Sequence, residues 1–376
     1  KLFFTDGEKY VYYDGGEDDV AEWTSTTAGG LPKRCLLMTA WRGRIVLARG
    51  DGDPPNWHLS AKDDAFNWDQ SPSDITATQA ISGNNAETGK SGDIINCLIS
   101  DTEERLIFGG DHTINILFGD PMEGGSIVEA SNTVGIAFGS PWAKDEAGTI
   151  YFFGSRGGVY RMRSGSKPEK MTDESIDKRM QGIDFSAYRV EMAWMAETDT
   201  LRVFQIPYGI GGTVKENWRW ERKTNAWWPE KFGASIVQPT SVCVLDGDLP
   251  GDRVILFGTE NGYIRKVDLA ATTDDGYAID SFVTWWPIFS GRRSMRLRNP
   301  KVTLADDAGS CELQLFSSDT SDRIGTGQEF AVLHAGQNDK AMIGVRGSYC
   351  GVRLRNAVPN QRWAYESGMV DVHEAS

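Results

Sequence analysis

Histidine is scarce and cysteine unorganised in this chain of 376 residues. Its four histidines, His58, His112, His334 and His373, fall in four different segments, so neither a nucleophile triad nor an HExxH metal motif can be assembled from the sequence. Five cysteines, Cys35, Cys97, Cys243, Cys311 and Cys350, stand singly with no CxxC pair. They read as buried free thiols in a reducing compartment. No run approaches the roughly 18 apolar residues of a membrane span, and the apolar start Lys1–Phe4 breaks at Thr5-Asp6-Gly7, too early for a signal peptide. A soluble, unprocessed protein is expected. The chain lacks an initiator Met and opens inside an apolar strand, so further residues ahead of Lys1 are expected.

Three loops imitate known sites without completing them. In YGIGGT, Tyr208 to Thr213, Val214 stands where a third glycine would, and no helix follows to cradle a phosphate. In DGDLPGD, Asp246, Asp248 and Asp252 surround Gly251, but Pro250 removes a ligand and no bidentate Glu follows in register. SAKDDAFNWD, Ser60 to Asp69, compares with the Asp-box turns of sialidase propellers, with its Asp displaced and its Gly missing. It reads as a structural turn, because the arginine cluster, Tyr nucleophile and acid pair of a sialidase cannot be assigned from spacing. The expectation is therefore no cofactor, no metal and no catalysis.

Positive charge is also in short supply. The net charge of −14 repels nucleic acid over most of the surface and argues against a general DNA binder.

What the chain has in abundance is turn and strand material, with 42 Gly, 13 Trp and 11% aromatics. Short runs rich in Val, Ile, Thr and Tyr point to an all-β protein. The stretches TIYFFGSRGGVYRM (149–162) and RVILFGTENGYIRKVD (253–268) are two copies of one glycine-turned hairpin. With four weaker copies there are six anchors, Phe4, Val46, Phe108, Phe153, Phe204 and Phe257, separated by 42, 62, 45, 51 and 53 residues. Each interval holds four short strands, the content of a propeller blade. The spacing predicts a six-bladed β-propeller over residues 1–288, with the glycines of the hairpin serving its turn.

In WRWERKTNAWWPEKF, Trp218, Trp220 and Trp227 flank the turn Lys223-Thr224-Asn225 as the third and fourth strands of a blade, and are expected to alternate in face. Thr172-Asp173-Glu174-Ser175 followed by Ile176, Met180 and Ile183 predicts one short inserted helix. From residue 289 to 376 alternating strands without the hairpin predict a C-terminal β-sandwich-like domain.

The candidate subunit interface comprises Arg292, Arg293, Arg296, Arg298, Trp228 and Trp286. The arginines form a basic run, GRRSMRLRNPK, in an acidic chain. It is either a strand that meets phosphates or an acidic neighbouring subunit, or a solvated edge strand guarded by charge. Trp227-Trp228 and Trp285-Trp286 each place one indole on either face of a strand, as an interface or sugar platform would.

Three stretches carry a family likeness: RLIFGGDHTINILFGD, then GSPWAKDEAGTIYFFGSRGGVYRMRSGSKPEKMTDESID, then ENWRWERKTNAWWPEKF. In order and spacing, the span 106–232 resembles the tail hub or nozzle proteins of short-tailed bacteriophages, also called packaged-DNA stabilisation or head-completion proteins. VRGSYCGVRLRNAVPNQRWAYESGMVDV resembles their terminal strands, extending the likeness to about two thirds of the chain. The sequence departs from the family at its start and in several shortened loops, so no adaptor- or fibre-binding loop is carried over.

The resemblance implies a structural virion protein assembled in the host cytoplasm into a homo-hexameric ring below the portal and adaptor proteins. Such a ring retains DNA, passes it without sequence-specific binding, and can carry tail fibres or spikes. An acidic wall suits DNA that slides past, since a cationic one would hold it. The alternative is a carbohydrate-binding or sialidase-like propeller.

Overall fold

The computed structural model describes all residues except 17–18, 74, 164, 173, 210–215, 248–252, 289–293, 322–326, 340 and 375–376. The described chain is almost entirely β. It divides into two compact units, the first comprising Lys1–Glu230, Pro239–Gly258 and Ile264–Lys266, the second Lys231–Gln238, Thr259–Tyr263 and Val267–Ser376.

The first unit is a β-propeller in which six antiparallel sheets follow one another in sequence among the described residues. The first sheet is formed by Leu2–Thr5, Tyr10–Tyr13 and Ala21–Glu22, and the second by Leu37–Trp41, Arg44–Gly50, Asp53–Leu59 and Ile81–Ser82. Ile95–Thr102, Arg105–Gly110, Ile114–Phe118 and Ser126–Ser131 make the third. Trp142–Lys144, Ile150–Phe153, Val159–Met162 and Glu169–Lys170 make the fourth. The fifth joins Tyr188–Met195, Thr200–Pro207, Asn217–Glu221 and Ala226–Glu230, and the sixth Pro239–Leu245, Val254–Thr259 and Ile264–Lys266. First strands lie beside first strands: Leu37–Trp41 with Ile95–Thr102, Trp142–Lys144 with Tyr188–Met195, and the latter with Pro239–Leu245.

The strands are apolar on both faces because both faces are covered. In the third sheet, Leu98, Leu106, Phe108 and Leu117 face the second sheet, against Trp41, Val46, Trp57 and Leu59. Their chain neighbours Cys97, Ile99, Ile107 and Ile116 turn to the fourth sheet, against Ile150, Phe152 and Met162. One residue along, Tyr151, Phe153 and Val159 face the fifth sheet, meeting Val190, Trp194, Val203, Trp218 and Trp220. The period of two thus assigns each successive residue to a different interface, and each such side chain contributes about 1.5–3 kcal/mol by burial.

One expectation is corrected here and another is extended. Trp218, Trp220 and Trp227 do not alternate: residues two apart in a strand share a face, and Trp220 pairs directly with Trp227, their rings 6.4 Å apart. The glycines of the 149–162 hairpin do more than turn it. Gly157 has φ +89°, and a Cβ there would stand 2.7 Å from Cα of Gln181, the last residue of the inserted helix Glu174–Gln181. The missing side chain lets the helix seat on the turn, and buried Met180 anchors it.

Of the five cysteines, four are buried as expected, but Cys243 is exposed because its strand, Pro239–Leu245, is largely open at its far end. The Ser60–Asp69 segment is a structural turn: the Ala65 carbonyl accepts the indole N–H groups of Trp23 at 3.0 Å and Trp68 at 2.9 Å.

A buried guanidinium ties the second sheet to the third. Arg44 donates from Nη1 to the carbonyls of Ser60 at 2.8 Å and Gln79 at 2.6 Å, and from Nη2 to that of Ala77 at 2.8 Å. Nη2 also meets the buried Asp120 carboxylate at 3.2 Å. Asp120 in turn caps the short helix Pro121–Glu123 through the amide of Met122.

The second unit is a two-sheet sandwich. One sheet has the order Ser281–Ile288, Tyr349–Asn356, Cys311–Ser318, Gly327–Leu333; in the other, Met295–Leu304 pairs with Gly336–Asn338, Gly344–Gly347 and Tyr365–Glu374. Met295, Leu297, Val302 and Leu304 meet Leu313, Leu315, Val352 and Leu354 between them. Ser281–Ile288 pairs with Tyr349–Asn356, so the sandwich begins upstream of residue 289.

Replacing Arg44 by Met should lower stability by about 3–5 kcal/mol, because Asp120 keeps its buried charge without a cation beside it. Chemical denaturation measures this; a loss under about 1 kcal/mol would rule out the clamp.

Candidate functional site

The first strands of the propeller surround a hollow of about 380 Å³. Phe3 to Thr5 line it from the first sheet, Leu37 and Met38 from the second, Leu98 from the third, Phe138 to Ser140 from the connection into the fourth, and Arg189 to Glu191 from the fifth. Phe4 and Tyr208 are exposed, so the wall mixes accessible aromatic rings with one ion pair. The Arg49 guanidinium lies 4.7 Å from the Phe138 ring centre.

Glu191 is the titratable group that stands out. Arg189 Nε lies 3.1 Å from its Oε1, and the amide of Val242 donates to Oε2 at 2.6 Å. Arg189 also reaches the Thr240 carbonyl through Nη2, so the pair stitches the fifth sheet to the sixth. Burial pushes the Glu191 carboxyl above its ordinary value, and the opposing pull of Arg189 and the Val242 amide does not cancel it. A shifted carboxylate beside a guanidinium in a cavity is the pattern of a binding or proton-handling group. Sequence reading missed it: Arg189-Val190-Glu191 signals a strand with one polar face, and nothing local announces Thr240 or Val242.

The candidate interface residues are not brought together at this hollow. Arg292 and Arg293 lie outside the described residues, as do Asp248, Pro250, Gly251, Asp252 and residues 210–215 of the glycine-rich loop. Arg296 and Arg298 are exposed while Met295 and Leu297 are buried, giving the one-sided charged strand expected. The edge-strand reading of that segment is corrected, because Met295–Leu304 has partners along both sides. Its exposed face gains Arg346, opposite Arg296. In the propeller Trp228 is 43% exposed; in the sandwich Trp286 is half-buried and donates to the Ser321 carbonyl at 3.0 Å.

No family model and no curated protein matches the chain. Among solved structures, it is similar to the extracellular domain of a proposed one component system from B. thetaiotaomicron, with 10% identity and a TM-score of 0.39 over 71% of this chain and 33% of that one. It is similar to an exo-beta-1,3-galactanase from Phanerochaete chrysosporium, with 8% identity and a TM-score of 0.34 over 93% of this chain and 98% of that one. A glycoside hydrolase family 43 arabinoxylan arabinofuranohydrolase from Bacillus subtilis gives 10% identity and a TM-score of 0.24 over 89% and 94%. The chain spans 33% of the first of these. At such scores no activity is argued from the likeness.

The expectation of no catalysis is corrected: glycoside hydrolases stand among the similar structures, and the shortage of histidine on which it rested is no ground against their chemistry. The physical reason is that glycoside hydrolysis runs on carboxylates, so a chain with four His and 53 Asp and Glu is not excluded from it by its shortage of histidine.

Glu191→Gln tests the electrostatics of the hollow. A raised folded-state value means that the folded protein holds its proton where the unfolded chain has released it, so stability falls as pH rises through that value. The midpoint of the variant should gain on the parent as pH rises above the ordinary carboxylate range in thermal unfolding; the opposite trend would show that the ion pair outweighs burial.

Proposed function

We propose that the chain is a subunit of the tail of a short-tailed phage, part of the ring that holds packaged DNA and conducts it outward. The observation that carries this reading is the order of elements over 149–230: the glycine-turned hairpin in one four-stranded sheet, the helix Glu174–Gln181, then the tryptophan-bearing sheet. This is the order the family resemblance calls for, and Gly157 ties the hairpin to the helix.

The hollow in the propeller, about 380 Å³, has the size of a small-molecule site, roughly 300–1,000 Å³, and is too small to hold a duplex. On this reading the DNA conduit is formed among copies of the chain. Charge is divided to suit such contacts: residues 1–288 carry a net −15 and residues 289–376 a net +1, together the −14 of the chain. Candidate contacts are Trp228 on the propeller and Arg296 and Arg298 on the sandwich, with the portal and adaptor as outer partners.

A second reading is a carbohydrate-binding propeller. It is favoured by the hollow itself, where exposed Phe4 and Tyr208 stand with Arg189 and Glu191. The names of the galactanase and arabinofuranohydrolase fit this reading, and none of the three structures named above is a phage tail protein.

Light scattering and negative-stain microscopy of the purified chain, alone and with an adaptor ring, separate the two. The first reading expects rings that Trp228→Ala with Arg296→Glu reduces to monomers. A chain that stays monomeric and joins no adaptor, yet binds a glycan array through the hollow, would replace it with the second.

A further inference from the structure

A second cleft opens between the fourth and fifth sheets of the propeller, with a volume of about 410 Å³. That is within the roughly 300–1,000 Å³ range of small-molecule sites. Tyr151 and Trp220, both buried, lie beneath it, and its charged lining consists of Arg161, Arg163, Lys167 and Arg222 against Asp145 and Glu169. A cationic excess in a chain of net −14 calls for an explanation.

Arg222 is fixed before any ligand arrives. Its guanidinium carbon lies 4.4 Å from the ring centre of Trp194. Nη2 is bonded to the buried Asp145 carboxylate and lies 3.1 Å from the Tyr151 hydroxyl, while Nη1 meets Asp199 at 3.2 Å. Tyr151 donates to Asp145 at 3.0 Å and stacks on Trp194, centroids 5.3 Å apart at 3°. Asp145 is thereby committed to Arg222 and Tyr151, and Glu169 to Arg161 at 3.0 Å.

Both acids are therefore neutralised within the protein. Arg163 and Lys167 remain, exposed and without a side-chain partner among the described residues. They flank the turn at Ser166, whose Oγ accepts from the Arg163 amide at 3.0 Å and donates to its carbonyl at 2.7 Å. The turn holds two cations at the rim of the cleft.

We propose that this cleft binds a small phosphomonoester, with Arg163 and Lys167 on the phosphate and its body in the cleft. The charge of a phosphomonoester near neutral pH, about −1.5 to −2, matches two free cations; a single carboxylate leaves one unmet. The proposal goes beyond either reading of the function above and depends on neither.

Calorimetric titration of the full chain with glucose 6-phosphate, adenosine 5′-monophosphate, glucose and glucuronate tests it. At least one phosphomonoester should bind more than about tenfold tighter than glucose or glucuronate, and weaken as salt rises. Which of the two binds distinguishes a phosphorylated sugar from a nucleotide. Arg163→Ala with Lys167→Ala should cost about tenfold or more in affinity at an unchanged melting temperature, since neither side chain has a partner to lose among the described residues. Binding of neither phosphomonoester at millimolar concentration, tighter binding of glucuronate, or unchanged affinity in the double variant would overturn the proposal.

Discussion

A twisted antiparallel sheet with two apolar faces cannot cover either of them with its own strands, and the architecture of the first unit follows from that constraint. The third sheet is the clearest case: Leu106 and Phe108 need the second sheet, while Ile107 between them needs the fourth. Covering one sheet creates a new uncovered face on the next, and the requirement moves along the chain until closure or an edge disposes of it. Polar groups drawn into these interfaces must be satisfied there. Arg44 with Asp120 and Arg189 with Glu191 find most of their partners by joining adjacent sheets, each arginine leaving its Nε unbonded.

Much of this was legible because it is local. The hairpin repeat is a pattern of adjacent residues, and the anchors Val46, Phe108, Phe153, Phe204 and Phe257 all fall on the second strands of their sheets. The helix was legible from Ile176 and Met180 at helical spacing. The beginning of the sandwich was not, because Ser281–Ile288 reads as one more apolar strand and its partner lies some seventy residues on.

The candidate sites were hidden for the same reason. Asp145 and Arg222 are 77 residues apart, and Glu191 is held by an amide 51 residues away. Neither residue carries a motif. What sequence can show is the type of group present, and here it misled through histidine: a fold rich in carboxylates has other routes to chemistry.

The shared faces also bear on how the chain comes into being. Made from its amino end, each sheet leaves the ribosome with one face already seated on its predecessor and the other bare until the following sheet is complete. A growing chain of this kind always carries one sticky trailing surface, whose position advances with synthesis. Gly157 places the helix Glu174–Gln181 on the fourth sheet's turn, midway through that series, so the fourth sheet receives a partial cover from the chain that immediately follows it, before the fifth sheet exists.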